Sequence, residues 1–194
     1  MKHLLITLAI LLGFNLANAQ EKSNKKYFSI TPFYGTIRVT DYNHEPLMGV
    51  DLTWQRNKWS NWQIGATYFE GSKYLNYNNL KIKDGAIKSY RLELNYLINP
   101  IKTKYFDFLF GFGGIVNYFD EMTIDRIHYH QNQLTINGSK YEEFGFGANL
   151  KSHLIFYLNE YVGINVRLAG GYIWRNNIDD DAFYSICPGL TIRF

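Results

Sequence analysis

Cysteine is nearly missing from this chain: Cys187 is the only one in 194 residues, so no internal disulfide can form and the fold must close without covalent staples. Proline is scarce, at four positions, and the net charge of +3 is too small an excess to point to nucleic acid. Past the first twenty residues there is no apolar run of the length a membrane helix needs, about 20 residues. A chain built this way meets a membrane as strands or not at all. What it does have is aromatic side chains, 16 Tyr and 14 Phe within an aromatic share of 18%, which suit a boundary between oil and water. Hydrophobic residues make up 46%, enough for one folded domain and too many for a disordered chain.

The start, "MKHLLITLAILLGFNLANAQ", places Lys2 and His3 before an apolar stretch from Leu4 to Leu16 and ends on the small residues Ala17 to Ala19. That is the layout of a cleaved export signal, expected over residues 1–19, with the mature domain over 20–194. Gln20 follows the cut and no Cys lies near it, which argues against a lipoprotein signal.

From Tyr27 the apolar pattern has period two, the mark of strands with two chemically different faces. Eight segments show it, centred on Ile30, Val50, Ile64, Leu92, Phe108, Phe146, Ile164 and Leu190. Phe106, Phe108, Phe110 and Phe112, for example, alternate with Asp107, Gly111 and Gly113. The links at Asn57–Asn61, Asn99–Lys104 and Leu158–Glu160 are short, whereas Glu70–Ala86 and Asp120–Ser139 read as long polar loops. Thr40–Pro46 and Arg175–Asp181 are of middling length. Short turns at one rim and longer loops at the other predict an all-β fold, an eight-stranded antiparallel up-and-down transmembrane β-barrel.

Alternation by itself also fits a soluble sandwich or barrel with its apolar face inside. Three features favour the opposite orientation. Strand glycines, such as Gly49, Gly65, Gly111, Gly147 and Gly163, fall on the polar parity, where a narrow lumen needs small residues. Aromatics gather toward two rims: Tyr27, Trp54, Trp59, Trp62, Tyr96, Tyr105, Tyr157 and Tyr161 at the turn end, and Tyr68, Tyr118, Tyr172, Trp174 and Tyr184 at the loop end. The strand charges Asp51, Arg91, Glu93, Asp107, Lys151, Arg167 and Arg193 all take the polar parity, as a lipid-facing Lys or Arg at the midplane costs about 2 to 4 kcal/mol. These seven are expected to form a polar network filling the lumen, a structural plug in preference to a pore.

The chain ends on Phe194 with Ile192, Leu190 and the more distant Tyr184 at alternate positions, which resembles the carboxy-terminal assembly signal of outer-membrane barrels. Together with the export signal and the eight strands, the mature chain resembles the OmpA/OmpX-type small barrels grouped as outer membrane protein beta-barrel domains. The resemblance implies insertion by the barrel assembly machinery into the outer membrane of a Gram-negative-type bacterium, amid outer-membrane lipids and lipopolysaccharide. The expected role is a non-enzymatic one at the surface, carried by the outer loops, with a lipid A acyl hydrolase or a passage for small apolar solutes as the alternatives.

Residue by residue, other chemistry is weakly encoded. His128 and His130, with Asp120, Glu121 and Asp125 upstream, have a spacing a metal site could use, but a solvated loop is the better explanation of them. Asp179 to Asp181 suits either a divalent cation or a plain turn, and Lys73, Lys81, Lys83 and Lys88 among tyrosines suit anionic headgroups or a glycan. Some eight-stranded barrels remove acyl chains from lipid A with a His-x-Ser-Asn element. Here His130-Gln131-Asn132 lacks the serine and Ser152-His153 has the order reversed, so no catalytic residue is assigned. Gly111, Gly113 and Gly114 permit a kinked fifth strand, the one feature suggesting lateral passage of small apolar solutes. No cofactor and no metal ligand set is assigned.

Overall fold

The computed structural model describes residues 27–40, 42–77, 80–130, 133–176 and 181–194. The expected export signal lies outside them. Eight strands follow one another: β1 (Phe28–Val39), β2 (Tyr42–Asn57), β3 (Ser60–Tyr77), β4 (Leu80–Lys102), β5 (Phe106–His130), β6 (Gln133–Tyr157), β7 (Val162–Trp174) and β8 (Asp181–Arg193). Each pairs antiparallel with the next, and β1 pairs with β8, so the sheet closes into a barrel.

The strands face the way the pattern requires. Leu92 is 61% exposed, Phe112 65% and Phe146 60% on the outer wall, with the half-buried Phe108 and Val166 on the same side. A closed barrel with so apolar an exterior could not stay dispersed in water, and closure removes the free sheet edges that hydrocarbon would not tolerate. The chain is an integral membrane barrel of the outer-membrane type. Cross-strand partners build its aromatic belts: Tyr68, Tyr90, Tyr118 and Phe144 run side by side over four strands with ring centroids 5.1, 6.3 and 5.2 Å apart. Toward the turn end Trp62 meets Tyr96 at 5.1 Å and Phe106 meets Phe156 at 5.0 Å.

Three expectations need correction. The segments read as long loops are largely strand. β3 continues to Tyr77 and β4 starts at Leu80, and β5 and β6 come within two residues of each other between His130 and Gln133. The partners Glu70↔Lys88 and Met122↔Lys140 simply continue the ladder upward. The outward positions here are polar, as at Glu70, Lys88, Asp120 and Lys140, so the ladder persists while the apolar alternation that marks a strand in sequence vanishes. At 25 residues each, β5 and β6 outrun the 13 residues of β7 by about 40 Å of extended chain. The middling link at Thr40–Pro46 likewise shrinks, since Val39 already pairs with Tyr42.

Second, the lumen is not uniformly small and ionic. Phe33, Ile37, Leu47, Phe69, Phe119 and Phe183 point inward and form an apolar plug in its loop-end half. In sequence, Phe33 sits between outward Pro32 and Tyr34 and gives a continuous apolar run that hides its parity. Third, Tyr27 and Tyr157 do not join the outer girdle. Tyr157 shares the inward parity of His153 and Ile155, and both tyrosines turn into the lumen mouth.

The β1–β8 seam keeps one register but pairs at only part of its length, Ser29↔Arg193, Ile30↔Ile192, Phe33↔Gly189 and Thr36↔Ile186 to Val39↔Phe183. The missing rungs coincide with Pro32 and Pro188, which have no N–H to donate. Side chains bridge the gap: Thr31 and Thr191 share a hydroxyl hydrogen bond of 2.9 Å inside the barrel. The Phe194 and Phe28 backbones exchange two bonds at the turn end, and at the loop end the Thr40 hydroxyl both donates to the Ala182 carbonyl and accepts from its N–H.

Two outcomes follow. Unboiled protein should migrate differently from boiled protein on denaturing gels, because the closed ladder resists detergent. Cys187, 0% exposed within the apolar plug, should react with a water-soluble maleimide only in the boiled sample.

Candidate functional site

At mid-barrel the inward parity of four strands brings five charges together. Lys151 on β6 places Nζ 3.3 Å from Asp51 Oδ1 on β2 and 2.5 Å from Glu93 Oε2 on β4. It also donates to Gln63 Oε1 on β3 at 3.0 Å. Arg167 on β7 spans the same two carboxylates, with Nε 3.2 Å from Asp51 Oδ2 and Nη2 3.2 Å from both Glu93 oxygens. Arg91 reaches Glu93 at 3.9 Å and lies over the Phe183 ring at 3.9 Å. The Arg167 guanidinium lies 4.4 Å from the Phe33 ring, so the underside of the apolar plug rests on two cations.

Small residues make room for this array. A Cβ on Gly65 would stand 2.5 Å from Asp51 Oδ1 and 3.4 Å from Lys151 Nζ, so any side chain there would displace the carboxylate. The array is dry: Lys151 and Arg167 are each 1% exposed and Asp51 0%, values at which no water-sized bore passes them. Charges held this way depend on one another, because each has left water and has only its neighbours in return.

A second cluster closes the turn-end mouth. Arg193 on β8 donates to Asp107 Oδ2 on β5 at 2.9 Å and also to the Tyr157 hydroxyl, and Tyr157 donates to Asp107 at 3.2 Å. The Arg193 guanidinium is 4.2 Å from the Tyr27 ring and 4.0 Å from that of Tyr157. Leu97, Leu109 and Ile155 pack with Tyr157 in an apolar cluster beside it. Of the seven inward charges read from the sequence, the structure therefore places Asp51, Arg91, Glu93, Lys151 and Arg167 in one group and Asp107 and Arg193 in another.

A third cluster, at the loop-end mouth, was hidden in segments read as connections. Arg175 reaches Glu121 at 2.7 Å, Glu143 at 2.6 Å and Asp181 at 3.1 Å, and lies 4.2 Å from the Phe119 ring. The signal was present, since Glu121 continues the parity of Asn117 and Phe119, but only the structure shows that the strand runs on. Two residues considered for cation binding, Glu121 and Asp181, are thus held by an arginine. Asp120 lies 3.3 Å from Lys140.

Among the described residues no group of three His, Cys, Asp or Glu side chains is disposed to hold a metal ion. The side chains of Asp125, His128, His130, Lys73, Lys81 and Lys83, and all of Gln131, Asn132, Asp179 and Asp180, lie outside the described residues. Lys88 is exposed on the outer parity. Ser152 and His153 point to opposite sides of the wall. His153 turns inward, its Nε2 3.2 Å from Gln63 and its Nδ1 3.0 Å from Asn165, while Ser152 faces out, so they form no nucleophile and base pair. Tyr184, Leu190, Ile192 and Phe194 line the lipid side of the closing strand.

Removing one partner from the dry array should be severe. Lys151→Met should lower stability to urea in lipid vesicles by about 3 to 5 kcal/mol, because Asp51 and Glu93 lose a buried counter-charge. Arg193→Gln, at a mouth where that side chain is 19% exposed, should cost roughly 1 kcal/mol. Equal effects of the two changes would contradict the layering.

The fold is shared with known barrels. OprG of Pseudomonas aeruginosa superposes with a TM-score of 0.60 at 13% identity, over 88% of this chain and 96% of its own. Neisserial surface protein A gives 0.58 at 10% identity, over 87% and 97%, and a major outer membrane protein of Thermus thermophilus 0.58 at 11%, over 88% and 100%. At these identities the likeness is one of fold. Among curated proteins none matches the chain by sequence. The profile of one family, described as surface lipoprotein assembly modifier, matches residues 13–187, nearly the whole chain. The expected likeness to small eight-stranded outer-membrane barrels holds at the level of fold, and by sequence the chain belongs to the surface lipoprotein assembly modifier family.

Proposed function

We propose that this barrel sits in the outer membrane of a Gram-negative-type bacterium and takes part in assembling lipoproteins at the cell surface, acting through the tall β3–β4 and β5–β6 hairpins. The observation that carries this reading is the contrast between a dry, filled lumen and a rim raised on one side. Lys151 and Arg167 leave no wetted passage, so transport through the centre is a poor use of the fold. The four strands β3 to β6, of 18 to 25 residues, instead form a continuous half-wall above the 12 or 13 residues of β1, β7 and β8. Recognition on a rigid barrel belongs to such projections. The family description supplies the class of partner. In the same reading lipopolysaccharide and outer-membrane lipids surround the wall. The assembly machinery reads β8 through Tyr184, Leu190, Ile192 and Phe194 during insertion.

The test replaces residues 74–83 and 123–138 with Asn-Gly turns, leaving the membrane-spanning strands intact. In cells lacking the native gene, the wild-type chain should restore digestion of surface lipoproteins by external protease, and the shortened chain should not. Full restoration by the shortened chain would refute the hairpin role. A biotin tag at residues 131–132 should be reached by streptavidin on intact cells. Purified protein in planar bilayers should add no conductance above background.

A further inference from the structure

The outer wall carries a groove that the filled lumen does not explain. A row of cross-strand partners crosses it: Arg38 faces Tyr184, Tyr184 faces Gly170, Gly170 faces Leu150, and Leu150 faces Phe112. Because Gly170 has no side chain and Ser152 has a small one, the wall is hollowed there. Phe110, Leu150 and Ile186 stand around the hollow and Tyr184 stands at one end. Its volume is about 500 Å³, within the range of small-molecule sites, roughly 300 to 1,000 Å³. A Cβ at Gly170 would meet nothing nearer than 3.5 Å, so neither packing nor backbone geometry calls for glycine here, unlike at the inward glycines.

The two ends of the row differ in depth and in charge. Phe110 and Phe112 lie near the turn-end start of β5, whereas Arg38 is the penultimate residue of β1 at the loop end. Arg38 is exposed on the lipid side and donates to the Tyr184 hydroxyl at 3.5 Å, and the His44 ring packs edge-on against Tyr184 at 6.0 Å. Among the described residues no carboxylate lies within ion-pair distance of Arg38. An apolar furrow that ends in a cation at headgroup level matches a lipid with an acyl chain below and a phosphate above.

We propose that this groove binds lipid A, one acyl chain lying over Gly170 and Ser152 and a phosphate meeting Arg38 beside Tyr184. The choice of lipid A over a phospholipid rests on the reading that the loop end faces the cell exterior, where the outer leaflet is lipopolysaccharide. Phosphate selects against the lipid anchor of a lipoprotein, which has none.

The whole chain, folded in detergent with an equal mixture of lipid A and phosphatidylethanolamine, is examined by native mass spectrometry. Lipid A should remain bound to the wild type. Gly170→Leu, which fills the furrow, and Arg38→Gln, which removes the cation, should each reduce retained lipid A by about fivefold, the loss of one charge-assisted or packed contact. The gel-mobility difference between boiled and unboiled samples should persist in both variants, since both side chains point into lipid. Equal retention by all three proteins overturns the proposal, as does preferential retention of phosphatidylethanolamine. Binding in detergent does not depend on which leaflet the groove faces, so a negative result removes the groove and leaves the outward placement of the hairpins standing. Failure of the biotin-tag experiment would remove that placement instead.

Discussion

A backbone amide or carbonyl left unpaired in hydrocarbon costs several kcal/mol, and every other feature of this chain answers to that penalty. It forces the sheet to close on itself, and closure with eight strands fixes a lumen about as wide as its packed side chains. From there the two faces have no freedom. One must be oil-soluble, and the other must fill a narrow cylinder with side chains that are small, apolar or set against opposite charges. At the seam, where the two prolines leave the ladder short of rungs, the Thr31–Thr191 hydroxyl bond ties the same two strands together from inside the lumen.

The filling of the cylinder is layered. Arg193, Asp107 and two tyrosines close one mouth, and Arg175 with three carboxylates closes the other. Between them lie the dry array around Lys151 and the apolar plug that rests on it. An aliphatic core of the same volume would be no less stable by general experience with buried ion pairs. What ionic pairing adds is geometry. Arg167 can meet Asp51 and Glu93 together only when β2, β4 and β7 stand at the correct heights, so the array opposes a slip in register.

The sequence made the barrel legible because hydrocarbon is a harsh filter: Phe112, Leu92 and Leu150 could not alternate with Gly111, Glu93 and Lys151 for any weaker reason. It stopped being legible where the filter stopped. Past the aromatic belt the outward positions turn polar, as at Lys88, Asp120, Lys140 and Glu142, and the strand from Asp120 onward loses the apolar alternation that distinguished it from a loop. Inside the lumen the filter also relaxes, since the interior accepts Phe33 or Phe183 as readily as Gly65, and so the apolar plug left no trace in parity. The pairing of charges was beyond reach for another reason. Alternation says which side of the wall Glu93 occupies, but not that Lys151 and Arg167, some sixty or seventy residues later, stand at the same height as it.

The incomplete rungs between β1 and β8 also set the order in which the barrel comes together. Seven of the eight strand pairs join neighbours in the chain and can zip as hairpins, while this one joins residues more than 140 positions apart. It is the last border to be sewn and, with the fewest stitches, the first to part under load. The cylinder therefore has a direction of weakness, a longitudinal line along which a partly made sheet can stay open while the remaining borders are already shut.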